Sequence, residues 1–74
     1  MTAHPAIAVF DVVAVLVDVP ENGLVRGQVG TVVGQFDGGV FEVEFSDDAG
    51  RTYAEVALGT DVLLLLHHRP VAVA

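Results

Sequence analysis

The pattern that most restricts the fold of this chain is a short, strict alternation of apolar and acidic side chains. Phe41, Val43 and Phe45 are separated by Glu42 and Glu44. Successive side chains of a β-strand point to opposite faces, so the alternation predicts a strand with one buried face and one face in water. The rest of the chain has to extend this strand into a sheet and cover its apolar side.

Four further segments, rich in valine and other aliphatic residues, predict strands because β-branched side chains crowd a helix but fit a pleated sheet. These strands are expected at residues 12–19, 29–36, 51–58 and 62–66. Turns are expected at residues 20–23, 38–39, 47–50 and 59–61, where proline, glycine, asparagine or aspartate residues cluster. Gly38-Gly39 predicts a two-residue hairpin loop. No segment has a sustained helical period.

Two hairpin registers support this assignment. With Asp47 facing Gly50, the partners of Phe45, Val43 and Phe41 are Thr52, Ala54 and Val56. With Asp37 facing Val40, the partners of Phe41, Val43 and Phe45 are Phe36, Gly34 and Val32. Both registers keep the apolar sides together, whereas a slip of one residue would turn the glutamates inward. The predicted core therefore consists of Val32, Phe36, Phe41, Val43, Phe45 and Val56.

Five short strands in a chain of 74 residues predict an all-β fold. We expect a small SH3-like barrel of about five antiparallel strands without substantial helix, and an OB-like barrel is the alternative. The chain is expected to form a single domain over residues 1–74. Its ordered barrel should cover about 8–66, with flexible ends at 1–7 and 67–74.

Charge and composition restrict the class of partner. The chain has a net charge of −7, with three arginines and no lysine. Because nucleic acids are bound largely through phosphate neutralisation, nucleic acid is an unlikely partner, and a basic or amphoteric protein surface fits better. The hydrophobic content of 53% favours an oligomer or an obligate complex. Self-association through an edge strand, at residues 12–17 or 62–66, is the alternative to a heteromeric partner.

Targeting signals and membrane spans are not expected. The N-terminus has no basic segment followed by an apolar stretch, and the apolar runs are too short to cross a bilayer. We therefore expect a cytoplasmic protein without a membrane partner.

The outward face of the third and fourth strands is the candidate binding site. The first register places Glu44 opposite Tyr53 and Glu42 opposite Glu55, with Gln35 alongside on the second strand. Like charges directly opposite each other destabilise a sheet, so a cationic partner would complete this face. The other interpretation is a solvated face that keeps a hydrophobic protein in solution. The predicted partner-binding residues are Gln35, Glu42, Glu44, Asp47, Asp48, Tyr53 and Glu55.

Catalytic and metal sites are not expected. Paired carboxylates on an open sheet lack the desolvation that tunes a catalytic pKa, and Asp47-Asp48 lacks the ligand spacing of a calcium loop. The adjacent His67 and His68 would point to opposite faces of a strand, so they suit one metal ion poorly. We therefore predict a non-enzymatic protein without cofactor or metal.

Two stretches resemble a known family. Residues 12–33 read V-V-A-V-L-V-D-V-P-E-N-G-L-V-R-G-Q-V-G-T-V-V, and residues 41–53 read F-E-V-E-F-S-D-D-A-G-R-T-Y. They resemble a family of small, uncharacterised bacterial proteins labelled a domain of unknown function, over residues 11–66. The resemblance implies an SH3-like barrel and carries over no activity and no catalytic residues. Gly27, Gly30 and Val32 also resemble the G-x-x-G-x-V of KOW segments, but the basic residues that meet RNA there are missing.

The combined prediction is a non-catalytic protein-binding module. Some small proteins of this kind resemble the antidote halves of toxin–antitoxin or effector–immunity pairs, which suggests an acidic protein that masks a basic partner. The alternative is an accessory or assembly subunit of a larger enzyme or ribonucleoprotein.

Overall fold

The fold is all-β in a computed structural model that describes residues 6–68 and residue 70. Five antiparallel strands form one sheet in the order β4-β3-β2-β1-β5. The strands are β1 (Val12–Val15), β2 (Val29–Phe36), β3 (Val40–Ser46), β4 (Thr52–Gly59) and β5 (Leu63–Leu65). Single 3-10 turns at Pro20–Asn22 and Thr60–Val62 complete the regular structure. The prediction of about five antiparallel strands without substantial helix is confirmed.

The core lies on one face of the sheet. Every strand contributes to a single buried cluster, so the sheet has to curve around its own side chains into a small barrel-like fold. Its members are Val13, Val15, Val19, Leu24, Val32, Phe41, Val43, Phe45, Leu58 and Leu63. Four predicted core residues, Val32, Phe41, Val43 and Phe45, are buried, and Val56 packs against the cluster while partly exposed.

The predicted burial of Phe36 is wrong because β2 contains a bulge. Val32 pairs with Val43 and Gly34 pairs with Glu42, so the register shifts by one residue at Val33. The extra residue reverses the alternation along the rest of the strand. Phe36 consequently lies on the outer face and is 50% exposed.

The predicted two-residue loop between β2 and β3 is also wrong. Phe36 pairs with Val40, so Asp37, Gly38 and Gly39 form a three-residue connection. Gly38 and Gly39 both have positive φ angles, of 81° and 75°. The side chain of an ordinary residue would be strained at either position, which is why glycine serves there.

The register between β3 and β4 is displaced by two residues from the prediction. Phe41 pairs with Leu58, Val43 with Val56 and Phe45 with Ala54. A displacement of two residues keeps every side chain on its predicted face, because the period of a strand is two. A second irregularity between Phe45 and Ser46 leaves Tyr53 without a direct partner on β3.

The first strand ends earlier than predicted. The expected strand at 12–19 is regular only to Val15, after which the chain leaves the sheet and forms an excursion over residues 16–28. An isolated bridge between Val19 and Leu24 closes this excursion around the turn at Pro20–Asn22. The carboxylate of Asp18 accepts a hydrogen bond of 2.8 Å from the Arg26 backbone N–H. The excursion thus contributes buried Val19 and Leu24 to the core.

The two ends of the chain are described in part. Ile7 packs against the core. The flexible ends predicted at 1–7 and 67–74 fall largely on residues 1–5, 69 and 71–74, which lie outside the described residues. Within the described part of the chain, no helix reaches the length and apolarity needed to cross a membrane.

Candidate functional site

Three glutamates share the outer face of the edge strand β4 and its neighbour β3. Glu44 of β3 pairs directly with Glu55 of β4, and Glu42 lies one outward position away on β3. We call Glu42, Glu44 and Glu55 the acidic face. Glu42 and Glu44 are half-buried, and Glu55 is exposed. The expected pairs Glu44–Tyr53 and Glu42–Glu55 are wrong because of the two-residue displacement, and Glu42 pairs with Ala57 instead.

The Glu44–Glu55 pair sets the electrostatic character of this face. Side chains that are directly opposite in an antiparallel sheet have Cβ atoms about 4.5–5.5 Å apart, and like charges there repel. On the other side of Glu44 the partner is the neutral Thr31 of β2. Two carboxylates therefore lie next to each other in a row whose third member carries no charge.

Tyr53 lies apart from the acidic face. Its ring centre is 6.4 Å from that of the buried Phe45, with the planes tilted by 44°. Its hydroxyl accepts a 2.9 Å hydrogen bond from Nε2 of Gln28, and Oε1 of Gln28 accepts one from the Val25 backbone N–H. The irregularity between β3 and β4 therefore directs Tyr53 toward the excursion before β2. The Tyr53–Gln28 hydrogen bond links this excursion to the β3–β4 hairpin, and Tyr53 is 45% exposed.

Gln35 and the two aspartates also lie away from the three glutamates. Gln35 pairs with Phe41, whose side chain is buried on the inner side, so the β2 bulge removes Gln35 from the outer face. Asp47 stabilises the turn that joins β3 to β4, because its Oδ1 accepts hydrogen bonds of 2.9 Å from the backbone N–H groups of Ala49 and Arg51. Asp48 is exposed in the same turn. The structure thus brings together three of the seven predicted site residues.

An apolar row continues the outer face on its other half. Leu64 of β5 pairs with Ala14 of β1, and Ala14 pairs with Val29 of β2. We call Leu64, Ala14 and Val29 the apolar row. Leu64 and Val29 are each 49% exposed, and the small Ala14 between them is buried. Sequence reasoning missed this row because the first strand is apolar at both alternating positions, so its outer side cannot be recognised without the strand order.

Phe10 is a second feature that sequence reasoning missed. Its side chain is 80% exposed, and its φ angle of 77° lies in the left-handed region. Asp11 N–H donates a 3.0 Å hydrogen bond to Ala8 O, and Phe10 N–H donates one of 2.7 Å to Val32 O. Phe10 therefore holds the third position of a tight turn where glycine is the usual residue. Nothing in the local sequence marks this geometry.

Across residues 6–68 and 70, the structure contains no group of three or more histidine, cysteine or acidic side chains that could hold a metal ion.

Comparison with known proteins identifies one family. The family described as a domain of unknown function, DUF4926, matches residues 9–65, which is more than half of the chain and includes all five strands. The curated proteins and the solved structures contain no match to this chain.

Proposed function

The chain belongs to the DUF4926 family, and we propose that it is a non-catalytic module that binds a basic surface of another protein. The contact is made through the acidic face, Glu42, Glu44 and Glu55. In its most specific form, the proposal is an antidote or immunity-type protein of the cytoplasm that covers a basic surface of its toxin partner. We take the scaffold to be an SH3-like barrel, which the strand order β4-β3-β2-β1-β5 supports.

The direct pairing of Glu44 with Glu55 is the observation that carries this proposal. Opposed like charges cost the isolated sheet stability, and a lysine or arginine from a partner would convert that repulsion into two attractive contacts. The net charge of −7 also favours a basic partner at long range, because it attracts basic proteins and raises their rate of association with this chain.

Co-purification from the native host tests the proposal. The tagged chain is cross-linked in cells, and captured proteins are identified and ranked by the ratio of their recovery with the wild type to their recovery with Glu44→Gln. Glu21→Gln is the matched control, because it removes the same charge from an exposed position in the 3-10 turn at Pro20–Asn22.

We expect one basic protein to be captured by the wild type and by Glu21→Gln, and to be lost with Glu44→Gln. Equal capture by all three chains would contradict the role of the acidic face. Co-expression then tests the antidote hypothesis. The captured protein should arrest growth when it is expressed alone, and it should no longer do so when it is expressed together with the wild-type chain. Capture of a multisubunit enzyme or ribonucleoprotein, without growth arrest, would instead indicate an accessory subunit.

A further inference from the structure

We propose that the apolar row docks the apolar side of a basic amphipathic helix of the partner protein, while the cationic side of that helix meets the acidic face. The inference rests on the proposed function and names the chemistry of the partner segment. The apolar row supports it independently of the glutamates, because Leu64 and Val29, on the two strands that flank β1, are each 49% exposed.

The spacing of the strands fits one helix. Strands are about 4.8 Å apart, so the outer positions of β1 and β3 are separated by about 10 Å. A helix with its side chains is roughly 10–12 Å across. A helix that runs along β1 can therefore contact Leu64 and Val29 on either side of Ala14 with its apolar side. Its polar side can reach Glu44, which lies in the neighbouring row, two strands from Val12 of β1 through Thr31.

A groove borders the apolar row at β5. It has a volume of about 670 Å³ and is lined in part by Leu16, Leu64 and Ile7. An amphipathic helix binds by inserting apolar anchors into such a groove. The shape and the exposed leucines thus offer space for one anchor side chain beside the row.

The conformation and exposure of Phe10 favour a role in binding rather than in stabilising the fold. It combines an exposed aromatic ring with a backbone angle that disfavours a side chain. Strained positions persist where surrounding structure holds them, and they cluster at sites of function. Phe10 lies two residues before β1, and its exposed ring offers a further apolar contact to a helix that runs along that strand.

Charge favours a basic helix over a second copy of this chain as the occupant of this surface. Two copies of this chain that met through this surface would bring a charge of −7 to each side. A helix with lysine or arginine on its polar side neutralises the glutamates instead, which is the complementarity that steers association. Charge repulsion therefore disfavours a second copy on this surface.

Two labelled peptides serve as probes for fluorescence anisotropy. The first is a helix with a leucine face and a lysine face, and the second replaces every leucine by serine and keeps every lysine. The chain variants are Leu64→Ser, Phe10→Gly and Glu44→Gln. Phe36→Ser is the matched control, because Phe36 is an equally exposed apolar side chain seven residues along β2 from Val29, at a distance of about 23 Å.

We expect the leucine–lysine peptide to bind the wild type at least about tenfold more tightly than the serine–lysine peptide. Leu64→Ser and Phe10→Gly should each weaken leucine–lysine binding by about fivefold and leave serine–lysine binding unchanged. Glu44→Gln should weaken both peptides, and Phe36→Ser neither. Circular dichroism confirms that each variant is folded.

If Leu64→Ser and Phe10→Gly both bind the leucine–lysine peptide as tightly as the wild type does, the inference about the helix is overturned. If Glu44→Gln still weakens peptide binding in that case, the proposed function stands without the helix. Loss of the Glu44 effect would contradict the proposed function separately. Light scattering tests whether a second copy of the chain occupies the apolar row. A wild-type dimer that becomes a monomer with Leu64→Ser would assign the row to a second copy and contradict the helix-docking inference.

Discussion

At the scale of single residues, Gly30 shows how closely the sheet packs on itself. A Cβ atom at this position would lie 2.7 Å from Cγ1 of Val43 and 2.9 Å from both the carbonyl oxygen of Glu44 and Cδ1 of Phe45. Gly30 pairs with buried Val13 on the inner side of β2. Glycine is therefore required here by close approach of the neighbouring strand rather than by a turn.

Gly30→Ala should lower the free energy of unfolding by about 1–3 kcal/mol, because the added methyl group forces β3 to move. Gly34→Ala is the matched control on the same strand, since the nearest atom to its Cβ would be 3.4 Å away, in ordinary contact. Urea denaturation measures both. A Gly30→Ala variant as stable as Gly34→Ala would contradict the β2–β3 packing.

Phe10→Gly should leave the free energy of unfolding unchanged or raise it by up to about 1 kcal/mol. Relief of the left-handed strain favours the variant, and the extra chain entropy of glycine opposes it. The exposed ring contributes little burial that could be lost. Thermal unfolding gives the comparison, and a loss above about 1 kcal/mol would show that the ring stabilises the fold itself.

At the scale of elements, the sequence predicts the strands and their faces better than their partners. The alternation of Phe41, Val43 and Phe45 with the two glutamates defines a face without any knowledge of neighbours. Pairing depends on loop length and on bulges, and neither the bulge at Val33 nor the irregularity beside Tyr53 has a residue signature. The candidate site was therefore predicted on the correct strands with the wrong opposing residues.

Phenylalanine substitutions test the bulge in β2. Phe45→Ala should cost about 3–5 kcal/mol, which is comparable to the stability expected of so small a domain, so this variant should be unfolded or nearly so. Phe36→Ala should cost less than about 1 kcal/mol, because its ring is half exposed on the outer face. Circular dichroism melts measure both. Equal losses would mean that Phe36 belongs to the core and that β2 is regular.

Removal of one charge tests the Glu44–Glu55 pair. Glu55→Gln should raise the free energy of unfolding by about 0.2–1 kcal/mol at low salt, because the repulsion across the strands disappears. The gain should shrink as salt screens the charges. Glu21→Gln controls for the change in net charge. A destabilising Glu55→Gln would show that the Glu55 carboxylate makes a favourable contact in the isolated chain.

At the scale of the whole molecule, the strand order determines what the outer surface presents. Because β1 lies between β2 and β5, the apolar row and the acidic face become two halves of one continuous surface. The sequence contains both halves but cannot place them side by side, since that depends on the pairing of the first and last strands. The same order leaves β4 and β5 at the edges of the sheet. The expected edge at residues 12–17 is therefore wrong, because β1 is paired on both sides, whereas the expected edge at residues 62–66 contains the edge strand β5. Self-association through the β5 edge stays an alternative prediction.

The role of the acidic face in binding is tested by the affinity for the captured partner, measured at low and high salt. The two chains to compare are the wild type and the double variant Glu44→Gln, Glu55→Gln. We expect the double variant to bind the partner at least about tenfold more weakly than the wild type at low salt. The difference in affinity between the two chains should narrow at high salt, because salt screens exposed charges. Equal affinities of the two chains at low salt would contradict the claim that this face binds a basic protein.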